Sequence, residues 1–390
     1  MSAAELLQET SGAAVVVRPE GDIIARLEFL DAARGLAALW VVLFHVSANV
    51  SSYMRMPAGV PDWAWFIKFG AIGVMLFFVV SAFSLCYTMQ QYRDKSAIAF
   101  YIRRLFRIAP LFYALLIYQL WRFPNHWQWP ELLANMFFIF NLVPKFHGSI
   151  VWGGWTIGVE MIFYVAFPFL FRHFDNVWKS AGLVGVCFLM SWAAEPLVDH
   201  YSLQVSGYRL HAVSNFLPVF AAGMLAFHVS AALKHHARRY AIGVGLIVSA
   251  LILLCVLLYR WGPEFLVSLF FDRWGLSAQG LIFAMFLVGL MFAPSAILVN
   301  RVTTFLGKLS YSIYLTHLPV LWLLIPLFVK IYALSWSTSL KFGACTALTL
   351  SIVLPASYLT YRLIEDPGIR LGRLVRSRWS SRHKDSVVVG

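Results

Sequence analysis

Apolar runs long enough to cross a bilayer recur along this chain, and that recurrence restricts its fold more than any other feature. A helix needs about 20 apolar residues to span the hydrocarbon. The candidate spans are 29–50, 66–88, 108–121, 154–171, 180–197, 213–232, 241–259, 278–298, 310–329 and 342–361. Backbone polar groups find no water in lipid, so only helices and closed barrels cross it. Continuous runs without strand-like alternation select helices. Only 13% of the 390 residues are charged and 60% are hydrophobic, against about 25% charged in soluble domains. A soluble core could not hide that much apolar surface. Ordinary soluble enzymes, disordered proteins and nucleic-acid-binding domains are thereby excluded. The expected fold class is all-α: a polytopic membrane helix bundle of about ten transmembrane helices.

An eleventh run, 131–144, is short, contains Asn135 and Asn141, and ends at Pro144. If it crossed, every later loop would invert. With ten spans and the N-terminus inside, 21 of the 31 Lys and Arg residues fall in inside segments and 8 outside, with Arg34 and Lys68 in spans. Basic residues hold loops in the cytoplasm, which also gives the net charge of +13 a membrane origin. Both termini are therefore expected in the cytoplasm, at the inner (plasma) membrane, and 131–144 is expected to be re-entrant or interfacial. The domain reading is a polar cytoplasmic leader over 1–28, a transmembrane domain over 29–362 and a basic cytoplasmic tail over 363–390. The longest apolar run of the leader, 13–17, is shorter than the hydrophobic region of a signal peptide. Cys86, Cys187, Cys255 and Cys345 lie far apart, without metal-ligand spacing, and are read as core residues. No metal site is expected.

Ionisable residues inside spans are expensive and mark functional positions. In the first span Arg34 and His45 are 11 residues apart. At 100° per residue they share one helix face, roughly 16 Å apart along the axis. An arginine at the inner mouth suits an anion arriving from the cytoplasm. A histidine deeper on the same face suits general-base chemistry. A snorkelling Arg with a His satisfied by a neighbouring helix would fit equally. Arg103, Arg104 and Arg107 form a cationic cluster before the third span, either a positive-inside anchor or a phosphate clamp. Glu160 is the sole acid of its span. It would make a structural salt bridge, orient His45 or hold a reacting hydroxyl. Tyr311, Tyr314 and His317 recur every three residues along one helix side. The aromatics of 121–130 read as an interfacial belt, although exposed rings also stack on sugars.

Together these segments resemble the integral-membrane acyltransferases of the acyltransferase-3 family. The matching segments, in order, are the LDxxRGxAA…FH opening with Arg34 and His45, LFFVVSAF at 76–83 and the RRxxR–P cluster at 103–110. WTIGVExxFYxxFP at 155–168 follows, then LGKLSYSIYLTHLPV at 306–320 with the closing IEDP at 364–367. The chain departs at Ala82, where glycine is usual, and at 156–158, where Ser-Leu-Ser is commoner. The resemblance implies an acyl-CoA-dependent O-acyltransferase that moves an acyl group, expected to be acetyl, from cytoplasmic acyl-CoA. The acceptor would be a hydroxyl of a cell-surface polysaccharide or lipid-linked glycan. His45 would act as general base or transient acyl carrier, with Glu160 beside it. Arg34, Arg103, Arg104, Arg107, Trp155, Tyr164, Tyr311, Tyr314 and His317 would bind substrate. No permanently bound cofactor is expected, and the partners would be acyl-CoA, the glycan acceptor and membrane lipid, with no nucleic acid. Some members carry an added soluble hydrolase-like domain. This chain ends 25 residues after Glu365, so any acyl relay is expected within the membrane domain. The competing reading is a transporter or flippase for a lipid-linked sugar or organic anion.

Overall fold

The computed structural model describes residues 14–16, 24–53, 60–91, 96–260 and 273–388. A two-strand antiparallel hairpin, β1 (Ala14–Val16) and β2 (Ile24–Arg26), precedes helices. These are α1 (Glu28–Tyr53), a 3-10 segment (Asp62–Ile72) leading into α2 (Gly73–Gln91), α3 (Ala97–Arg122), α4 (Trp129–Met136) and α5 (Trp155–His173). There follow α6 (Val177–Gln204), α7 (Leu217–Leu233), α8 (Arg239–Arg260), α9 (Arg273–Phe292) and α10 (Arg301–Lys308). The chain closes with α11 (Ser310–Tyr332), α12 (Thr338–Thr360), a π-turn (Tyr361–Glu365) and α13 (Asp366–Val388).

Among the described residues, nine helical segments are long and apolar enough to cross a membrane. The chain is thus an all-α polytopic bundle. The 26 residues of α3 extend about 39 Å, but its ends carry Arg103, Arg104, Arg107 and Arg122. The run 131–144 does not cross: α4 has 8 residues, and two 3-10 turns follow it. Helix starts are written in the sequence. Ser96, Asn176, Ser337 and Asn300 each accept a hydrogen bond from a first-turn backbone amide, and Thr303 completes a capping box with Asn300.

α1 lies at the centre, packed by α2, α10 and α11; α7 and α9 back α2, α6 covers α7, and α8 covers α9. Lipid is as apolar as a leucine side chain, so close packing and polar contacts, not burial alone, hold such helices together. The tightest approach is α1 on α10. A Cβ at Gly307 would lie 1.8 Å from the Asp31 carbonyl oxygen, and one at Gly35 would lie 2.1 Å from that of Thr303. Two backbones meet here, and only glycine permits it. Polar stitches continue along α11: Ser312 donates to Glu365 at 3.0 Å, and Thr316 meets Ser357 at 2.9 Å.

Three expectations change. The inside segment 299–309 contains α10, whose eight residues are too few to give a span signal. The expected span 278–298 stops at Phe292, ahead of Pro294. The division at 362 falls inside continuous helix, because α12 passes through the π-turn into α13. There Gly368 and Gly372 seat against Pro110 and Phe106 of α3. Cys86, Cys187 and Cys345 are buried as expected, but Cys255 is exposed on α8. It shares the flank of Val248, Leu251, Ile252 and Val256, an apolar face suited to lipid. Most of the leader 1–28 lies outside the described residues.

Candidate active site

A cavity opens among α1, α2, α3, α5 and α11. Its charged lining is Arg34, Arg104, Arg107 and Glu160, beside Ser81, Tyr164, Tyr311 and Tyr314. Each guanidinium has its own side-chain partner. Arg34 donates to Ser84 at 2.6 Å and pairs with Asp31 at 3.6 Å, one turn earlier on α1. Arg104 donates to Thr88 at 3.2 Å and lies 5.7 Å over the Tyr164 ring. Arg107 faces Glu365 at 3.7 Å; that carboxylate is fully buried and also accepts from Ser312. The result is a concave surface with converging guanidiniums, the geometry that grips phosphate groups.

Glu160 sits in this cavity, not beside His45. Its carboxylate accepts from Ser81 and from Tyr164, one turn further along α5, and those two hydroxyls are 3.1 Å apart. The expected orienting bond from Glu160 to His45 is absent among the described residues. The partners of His45 are Val41 O, 2.9 Å from Nδ1, and His317 Nε2, 3.3 Å from the same atom. His317 is wholly buried, and its own Nδ1 lies 3.1 Å from Ile313 O. Carbonyl oxygens accept only, so both rings carry their proton on Nδ1. His317 Nε2 then receives the shared His45 N–H. No hydrogen bond engages His45 Nε2 among the described residues. That nitrogen keeps its lone pair.

Tyr314 joins the two places. It lines the arginine cavity, and its ring centre is 5.7 Å from that of His317, which is 5.0 Å from that of His45. The order from one end of the bundle inward is arginines, cavity, Tyr314, histidine pair. Two other expected site residues lie elsewhere. Arg103 is outside the cavity lining. Trp155 stacks on His211 and Phe216 at 4.7 and 5.4 Å. Tyr311 lines the cavity while its hydroxyl donates to Ile108 O at 2.7 Å.

A sequence model of the acyltransferase-3 family, described as an acyltransferase domain, matches residues 27–358. The chain belongs to the acyltransferase-3 family. This acyltransferase is 25% identical over 295 residues to a putative acetyltransferase, ORF330, of Acidianus two-tailed virus, covering 73% of this chain and 80% of that one. It is 20% identical over 376 residues to O-acetyltransferase OatA of Staphylococcus aureus, covering 87% of this chain and 56% of the relative. The chain thus spans about half the length of OatA. No solved structure matches. The family and the apolar helices together make the protein a multi-pass membrane acyltransferase.

Several residues of the acyltransferase site escaped the sequence reading. Ser84 and Thr88 are hydroxyls on the α2 face that meets the arginines, and nothing in an apolar run marks such serines or threonines. Glu365 belongs to the closing IEDP segment, which the sequence division at 362 assigns to the tail, whereas the fold pairs it with Arg107. The site also has a neighbour on the loop side. His147 and His211 approach Nδ1 to Nδ1 at 2.5 Å and tie the segment after α4 to the turn before α7. Burial pushes His147 below its ordinary value, and burial plus His147 pushes His211 down to about 3. Above the unfolded value of about 6.5 neither state carries the proton. Below it the unfolded chain takes up protons that the folded pair refuses, so stability falls as pH drops from 6.5 towards 3. The unfolding midpoint in detergent is expected to fall between pH 7 and 5. The slope should be shallower in the His147→Asn, His211→Asn double variant; equal slopes would contradict this origin.

Proposed function

We propose that this protein is an O-acetyltransferase that takes acetyl from acetyl-CoA at its arginine end, in the cytoplasm, and places it on a hydroxyl of a cell-surface glycan. The observation that carries this reading is the succession of three guanidiniums, the cavity they line, Tyr314 in the same lining, and the histidine pair whose rings follow that of Tyr314. Arg34, Arg104 and Arg107 would hold the phosphates of CoA. The flexible thiol arm would occupy the cavity, and its reach is comparable to the roughly 16 Å between Arg34 and His45. His45 Nε2 takes the proton of the acceptor hydroxyl as its oxygen attacks the thioester carbonyl. The carbon–sulfur bond breaks, and the departing thiolate recovers a proton from the imidazolium. Tyr314 stands between cavity and histidines, where a phenolic O–H can donate to the thioester oxygen. Glu160, locked by Ser81 and Tyr164, forms part of the wall of the same cavity. The acetyltransferase and O-acetyltransferase names of the relatives support the acyl group and the oxygen acceptor. A transporter would need neither a thioester donor nor a base.

The donor half is tested by binding. Labelled acetyl-CoA should bind the purified protein in nanodiscs, and Arg104→Ala should weaken it roughly tenfold, the loss of one charge-assisted contact. An Arg104→Ala protein with unchanged affinity would remove the phosphate clamp.

A further inference from the structure

A second hollow lies along α11, on the far side of Tyr314 from the arginines. It is lined by Ser149, Trp152, Gly153, Leu318 and Trp322. Its floor is Gly153, at φ +75°, where an added Cβ would come within 3.2 Å of Leu318 and 3.7 Å of the Tyr314 ring. A glycine suits this left-handed backbone and lets the hollow approach the Tyr314 ring. The wall is built firmly: Asn135, fully buried, accepts from Ser149 Oγ at 2.7 Å and from Ile150 N at 3.0 Å.

The mouth is aromatic. Trp152 and Trp322 stand 5.9 Å apart at 56°. Phe123 completes the group, 6.1 Å from Trp152 and 6.2 Å from Trp322. Arg122 lies 5.0 Å over both Phe123 and Trp322. It is exposed, and among the described residues no carboxylate pairs with it. Arg122 and Arg104 are 18 residues apart on α3, about 27 Å along its axis. The hollow therefore opens at the opposite end from the proposed donor clamp. Trp121 and Trp129, 75% and 77% exposed, fit an interfacial belt. Trp152, Phe123 and Trp322 turn inward instead.

We propose that this hollow is the acceptor subsite, and that it takes a pyranose ring bearing a carboxylate, a uronic-acid unit of an acidic polysaccharide. The tilted indoles offer faces to the C–H side of a sugar ring. The unpaired guanidinium supplies the charge for a carboxylate. A hydroxyl held over Gly153 points at the histidine layer. The proposal rests on the acyltransferase reading above, and donor binding is measured separately.

The test uses the full-length protein in nanodiscs. The probes are an oligogalacturonate and the same oligosaccharide with its carboxyl groups reduced to alcohols; labelled acetyl-CoA is titrated in parallel. The acidic sugar should bind roughly tenfold more tightly than the reduced one. Trp322→Ala should lose roughly tenfold for both sugars, and Trp322→Phe should recover most of it. Arg122→Gln should erase the preference for charge. Unaltered acetyl-CoA affinity certifies the fold of each variant. Equal binding of both sugars would overturn the acidic class. Sugar affinity untouched by Trp322→Ala, or no binding of either sugar, would overturn the subsite. Failure of wild type to bind acetyl-CoA, with the sugar pattern intact, would strike the donor reading and uphold the subsite.

Discussion

Replacing His45 by alanine is expected to lower acetyl transfer by roughly 10²–10⁴-fold, the span contributed by a positioned acid–base group, with the helices and donor binding intact. The expectation follows from where the protons sit. Val41 O and Ile313 O hold both rings as Nδ1–H tautomers. His317 Nε2 is then occupied by the His45 N–H, and His45 Nε2 is the base the pair leaves available. Alanine removes that atom and leaves a small gap on a half-buried face, which the bundle tolerates. Initial rates of label transfer from acetyl-CoA check it, beside acetyl-CoA affinity in the same sample. A variant with intact donor binding that turns over at near the wild-type rate would take His45 out of the chemistry. Should His45 carry the acetyl group itself, hydroxylamine would trap it from wild type and not from the variant.

Gly307→Ala should be the most damaging small substitution in the bundle. The added methyl would sit 1.8 Å from Asp31 O and 2.4 Å from its carbonyl carbon. Both neighbours are backbone, so no rotamer relieves the clash. α10 must move away from α1, and with it the start of α11, which carries Tyr311, Tyr314 and His317. The cost should be about 3 kcal/mol or more, at the upper end for overpacking. Loss of acetyl-CoA binding should follow, because Arg34 lies on the displaced side of α1. A lowered unfolding midpoint in detergent and poor recovery from membranes are the expected signs. Gly182→Ala is the control, since a Cβ there meets nothing within 4 Å. Equal midpoints for the two variants would show that the α1–α10 contact is looser than described.

Much of this was legible because membranes impose coarse rules. Hydrocarbon thickness sets the length of a span, so the helix runs stood out, and the distribution of Lys and Arg argued against a crossing at 131–144. Arg34 and His45 were placed on one face by helical period alone, and both face α11 or the cavity. Period says nothing about which neighbour a side chain meets. For Glu160 the sequence leaves a salt bridge, the orienting of His45 and a hydroxyl partner all open; the fold gives Glu160 to the hydroxyls of Ser81 and Tyr164 and gives His45 to His317. Such pairing depends on how α5 and α11 are rotated, which small residues and backbone contacts decide. α10 was hidden for a related reason: eight residues, four of them Arg, Thr or Lys, are too short to read as a helix until the α1 and α10 backbones are seen to meet at Gly35 and Gly307. Phe123 lies in the same run of aromatics as the exposed Trp121 and Trp129, and composition cannot separate it from them.

The most direct measurement is sided transfer. The protein is reconstituted into liposomes in one orientation, with labelled acetyl-CoA supplied at the arginine end and acidic oligosaccharide at the other. Label should appear in the oligosaccharide across the bilayer, and should vanish when acetyl-CoA is moved to the opposite side or when His45 is alanine. Incorporation only when donor and acceptor share a side, or no incorporation from acetyl-CoA by well-folded protein, would contradict a path from the arginine cavity through the histidine pair.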